Sequence, residues 1–371
     1  MPTTDNQTGS PIVSGFPNDN RLLSLDLARG WAMVFVVVIH VLEQLSSKHV
    51  KESVFGGVLN MGTSMFAAAM FMFLMGVGLS LSKRGTIKSE MLRGAKLLVA
   101  AYILNVLRGT IPTWAGLLTH QFTLEDLKPY SPLYVTIEID ILHFAGVALI
   151  ILSPLKHFVK KWQGWLIFGV GILLVCPLVY GHKGFSPVVT YFVNFLWQTE
   201  PYGHFPIFPW LVYPIGGMVF GYFLKHAKNP RQFFPRTTTI GILLCIVGGY
   251  MAYNYSDFTM ESWMSGEYNE GQIHPWMVLC EIGILLAALS FHQFCSLRIP
   301  PNKVFIRLTY WSKEVTVLYC MQWIVIGWMV IYINNLGFAG SIVSMLLVFI
   351  ITELLGKGWK RMVSGGKSAR S

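Results

Sequence analysis

Ten apolar runs divide this chain, each near the twenty residues that a helix needs to cross a hydrocarbon layer. They fall at about 24–45, 58–82, 93–112, 135–153, 164–181, 206–225, 237–255, 273–295, 312–333 and 337–356. In lipid every backbone N–H and C=O must find a partner within the protein, which leaves helices as the natural reading of runs this long. Charged residues make up 12% of the 371 residues, about half the usual fraction of a water-exposed domain. The expected fold is therefore all-α: a polytopic membrane bundle of about ten spans. A polar tail covers 1–20, one transmembrane domain covers 21–357, and a basic, disordered tail covers 358–371.

The net charge of +10 reads as topology, and no nucleic-acid partner is expected. If both termini lie on the cytoplasmic side, all but five of the 28 Lys and Arg fall in cytoplasmic segments. The five are Lys48, Lys51, Arg108, Lys128 and Lys183. This loop-by-loop alternation is the signature of positive-inside insertion, and an odd number of spans would destroy it. The N-terminus lacks the basic region and apolar core of a cleaved signal, so the first span is expected to direct insertion into the cell membrane. The cysteines, Cys176, Cys245, Cys280, Cys295 and Cys320, sit in or beside apolar runs with no CxxC pair. Buried thiols are expected, without disulfides or a metal site.

The first span carries four ionisable groups, Asp26, Arg29, His40 and Glu43. Such groups are costly in a bilayer and usually mark a site. Arg29 and His40 are eleven residues apart, about three turns, so they share a face some 16 Å apart along the axis. Asp26 lies three residues before Arg29, and Glu43 three after His40, spacings at which helical side chains meet. The arrangement suggests an ion pair near one surface and an acid–base pair near the other. Asp140 and His143 fall at a depth similar to His40 on the fourth run, and Glu281 lies inside the eighth. Either an enzyme or a proton-coupled carrier of a small polar solute could use such groups, although no inverted repeat is visible.

Five stretches carry a family resemblance. They are SLDLARGWA with His40 eleven residues after its Arg, Phe71–Arg84 (FMFLMGVGLSLSKR), Asp140–Ile150 (DILHFAGVALI), Phe205–Leu224 (FPIFPWLVYPIGGMVFGYFL) and Arg307–Trp323 (RLTYWSKEVTVLYCMQW). In this order they resemble the transmembrane acyltransferases, and within them the bacterial relatives of heparan-α-glucosaminide N-acetyltransferase more than the acyltransferase-3 proteins. The resemblance implies transfer of an acetyl or other short acyl group from cytoplasmic acyl-CoA to a hydroxyl or amine of a glycan or glycolipid. His40 is then the general base, with Glu43, Glu138 or Asp140 holding its tautomer, and Asp140 and His143 as further catalytic candidates. Arg29, Lys83, Arg84 and Arg93 are candidates for the CoA phosphates, which need cations. Asp26, Trp210, Tyr319 and Gln322 are candidates for substrate binding; Trp210, Tyr213 and Trp323 could equally be packing residues. Family members often carry a His where this chain has Gln322. Gln hydrogen-bonds but takes no proton at neutral pH, so a catalytically inactive relative is an alternative. Lipid, acyl-CoA, the glycan acceptor and a second copy of the chain are the expected partners.

Overall fold

A computed structural model describes residues 22–82, 85–128, 131–198, 204–228, 230–256, 259 and 273–368. Ten helices in it are long and apolar enough to cross a membrane. They are Leu23–Leu45, Val54–Leu81, Ile87–Leu118, Pro132–Phe158, Trp162–Val179, Ile207–His226, Gln232–Tyr255, Pro275–Arg298, Val315–Tyr332 and Phe338–Val363, here the first to tenth spans. The expected count and helical class hold. The last helix runs on to Ser368, so much of the segment expected as a disordered tail after 357 is helical.

Two of the spans that build the site are irregular. The third relaxes into a π-helical turn at Val106–Thr110. The fourth is a short helix, Pro132–Ile137, then a break at 138–140, then Ile141–Phe158. Broken backbone at membrane depth is tolerated only where the protein supplies the missing partners. Asn105 does so from the third span, its amide donating to the carbonyls of Thr136 (3.1 Å) and Glu138 (2.7 Å). Asp140 then caps the longer helix: its carboxylate accepts the Ile141 N–H at 2.6 Å. His143 Nδ1 in turn accepts the Asp140 N–H at 3.2 Å, completing a reciprocal cap.

The first span lies at the centre, with Ala28, Ala32, Met33, Val37 and Val41 fully buried. It packs against the second, eighth, ninth and tenth spans and against a short helix, Lys303–Lys313, that buries Phe305, Leu308, Trp311 and Ser312. The second and sixth spans touch at backbone distance. A Cβ on Gly217 would lie 1.9 Å from the Phe73 carbonyl oxygen, so only glycine permits this approach. By contrast, the fifth and seventh spans turn outward. Ile167, Leu174, Leu178, Ile240, Leu243 and Ile246 are exposed apolar side chains for which lipid is the natural solvent.

Candidate active site

His40 lies one helical turn and a residue before the end of the first span. It is half-buried, and its neighbours come from the ninth span. The Gln322 amide nitrogen lies 2.8 Å from His40 Nδ1. The Trp323 ring lies over the imidazole at 4.0 Å between centroids, tilted by 32°. Tyr319, one turn earlier, presents its ring edge-on at 6.2 Å. Gln322 and Tyr319 are buried because the ninth span packs this face against the first and third spans.

Tyr319 links the imidazole to a charge network. Its hydroxyl donates to both Asp140 oxygens, at 3.0 and 2.9 Å. Arg108 approaches the same carboxylate at 3.0 Å, and Glu138 at 3.5 Å. Its Nε donates to Asn105 Oδ1 at 3.3 Å, and its guanidinium lies 4.3 Å from the centre of the Trp323 ring. Arg108, Asp140 and His143 are all buried. An ion pair removed from water persists only when its members satisfy one another, as Arg108 and Asp140 do. The π-turn carries Arg108, a placement typical of functional sites. The ninth span reaches that turn through Gly327, whose Cβ would fall 1.9 Å from the Arg108 carbonyl oxygen.

A cleft of about 540 Å³ opens beside Glu138, between the Pro132–Ile137 helix and a helix at Pro187–Trp197. Tyr134, Phe185, Thr190, Tyr191 and Asn194 are among its lining residues. The Tyr191 hydroxyl donates to the Ile137 carbonyl at 3.0 Å and lies 3.3 Å from the Tyr102 hydroxyl. Burial, reinforced by the Tyr102 hydroxyl, raises the Tyr191 phenol above its ordinary value and keeps it a neutral donor.

Residues 21–255 match the family described as heparan-alpha-glucosaminide N-acetyltransferase, catalytic. The chain belongs to this family. It is therefore a multi-pass membrane protein of an acetyltransferase family whose donor is acetyl-CoA. No curated protein matches the chain. The family match contains His40, Arg108, Glu138 and Asp140 and stops before the ninth span, which supplies Tyr319, Gln322 and Trp323.

Of the residues singled out from sequence, His40, Asp140, Tyr319 and Gln322 converge, with His143 beside them as the cap of Asp140. His143 spends Nδ1 on that cap, and its Nε2 is buried without a hydrogen-bond partner among the described residues, next to the Tyr102 ring at 4.5 Å. Glu43 is exposed, and its backbone carbonyl accepts from Lys51 Nζ at 2.5 Å. Asp26 and Arg29 lie at the opposite end of the first span. Ser312 donates to Asp26 at 2.7 Å, and Arg29 reaches Asp26 at 3.8 Å and Ser312 at 3.5 Å. Arg93 is exposed near the start of the third span; Lys83 and Arg84 lie outside the described residues. Trp210 is buried among Phe144, Phe205 and Tyr213, as packing requires. Sequence reasoning missed Arg108 by counting it among loop charges. The signal was present: it is a lone cation between the apolar segment Leu97–Leu107 and Ile111.

Proposed function

We propose that the protein transfers an acetyl or other short acyl group from acyl-CoA to a hydroxyl or amine of a carbohydrate or glycolipid. His40 acts as general base. The observation that carries this reading is the convergence of a half-buried imidazole with the Tyr319–Asp140–Arg108 network among four spans. As the acceptor oxygen or nitrogen bonds to the thioester carbonyl carbon, its proton passes to the imidazole. The C–S bond then breaks, and the sulfur of CoA takes up that proton. A positioned general base contributes on the order of 10²–10⁴-fold to such a step.

The acceptor is assigned to the cleft beside Glu138. Aromatic side chains there offer faces for a sugar ring, and Glu138, Thr190 and Asn194 offer polar partners. The donor phosphates are assigned to the end of the bundle that carries Arg29 and Arg93, taken as cytoplasmic; Lys83 and Arg84 remain candidates from sequence. The test uses purified protein with labelled acetyl-CoA and an amino sugar. Wild type should release CoA and label the acceptor, and His40→Ala should lose at least 10²-fold while remaining folded. Full transfer by that variant would remove the mechanism. Solute uptake into liposomes without CoA turnover would favour the carrier.

A further inference from the structure

Gln322 has no exposed surface, and its amide nitrogen sits 2.8 Å from His40 Nδ1. Its carbonyl oxygen is buried with no hydrogen-bond partner among the described residues. A buried acceptor left alone is costly, so an oxygen stranded beside an imidazole calls for an explanation.

Among the described residues, the hydrogen bond seen at His40 Nδ1 is the one with Gln322. The Asp140 carboxylate is committed to Tyr319, Arg108 and the Ile141 N–H. Glu138 reaches Arg108 and His204, and Glu43 is exposed. The hydrogen-bond partner of the imidazole is therefore an amide, where hydrolase triads use a carboxylate. An amide has an alternative that a carboxylate lacks. Its two ends have nearly the same shape, and half a turn about the terminal bond exchanges them. With the nitrogen toward His40, the amide donates to Nδ1 and the imidazole proton sits on Nε2. That ring accepts nothing at its outer nitrogen. With the oxygen toward His40, Nδ1–H donates to Gln322 and Nε2 keeps its lone pair. The same turn gives the stranded oxygen a donor and moves the amide nitrogen into the place the oxygen held.

We propose that Gln322 is a positioning residue whose carbonyl holds His40 in the Nδ1–H tautomer, leaving Nε2 as the basic atom that faces the acceptor. This rests on the reading of His40 as the base. It also makes the Gln at this position compatible with catalysis, since orientation needs an acceptor and no proton transfer.

The experiment uses the full chain in lipid nanodiscs, labelled with ¹⁵N-histidine, with the His40 signals identified by their loss in His40→Gln. Ring nitrogen shifts should show His40 of the wild type protonated at Nδ1 and bare at Nε2. Gln322→Met keeps the length and removes the acceptor, and should move His40 toward the Nε2–H form. With glucosamine as test acceptor, Gln322→Met should lower kcat about 10²-fold with the KM for acetyl-CoA little changed. Gln322→Glu, which can only accept, should recover most of that loss. A wild-type His40 protonated at Nε2, or a Gln322→Met protein with unchanged kcat, overturns the proposal. The wild-type spectrum decides the matter even if a variant fails to fold. Full activity in His40→Gln would instead sink the general-base reading and leave the tautomer result standing.

Discussion

Gly327→Ala tests whether the geometry around His40 depends on how closely the ninth span meets the third. The added Cβ would lie 1.9 Å from the Arg108 carbonyl oxygen, 2.8 Å from its carbon and 3.1 Å from its Cα. All three atoms are backbone, so no side chain can rotate out of the way. Ordinary contact begins near 3.4 Å, which requires the two backbones to part by about 1.5 Å. Overpacking of this kind costs about 1–3 kcal/mol. The functional consequence is larger, because three contacts of the site cross this seam or depend on it. They are Tyr319 on Asp140, Trp323 beneath Arg108, and Gln322 on His40. A displacement of about 1 Å at a reacting group costs roughly 10²-fold in rate. Acetyl transfer and thermal unfolding in detergent should be measured side by side. The expected variant is folded, modestly less stable and about 10²-fold slower. Wild-type rate and stability together would show that the π-turn yields freely, and that its rigidity has no part in placing the imidazole.

Three further outcomes follow from the same contacts. Asp140→Asn keeps the helix cap, since Asn caps as well as Asp, but leaves Arg108 with only the more distant Glu138 carboxylate. A loss of about 3 kcal/mol in unfolding free energy is expected, and an unfolding midpoint equal to wild type would contradict it. Arg108→Lys keeps the charge and loses the forked geometry shared by Asp140, Glu138 and Asn105; kcat should fall at least about tenfold, read by initial rates at saturating acetyl-CoA. Arg29→Gln at the far end of the first span should raise the KM for acetyl-CoA with little change in kcat, the pattern of lost uniform binding. A change confined to kcat would instead tie Arg29 to the chemical step.

Much of the architecture was legible without coordinates, because a bilayer imposes a length and a polarity that composition records directly. Ten apolar runs became ten helices; His40 and Asp140 could be marked as ionisable residues in apolar surroundings, and Tyr319 and Gln322 through the family resemblance. Which of them meet was not legible. Glu43 has the right helical spacing from His40, yet it is exposed, while the partner comes from 282 positions along the chain. Arg108 could be counted but not located, since a helix drawn at regular pitch gives no sign of the π-turn. Local sequence determines which segments are helical and how far they reach, through hydrophobicity summed over twenty residues. Only tertiary packing decided the site. The break at 138–140, the turn at 106–110 and the glycine contact at 327 are each stabilised by groups from another helix. No periodicity within one segment encodes a hydrogen bond supplied by its neighbour.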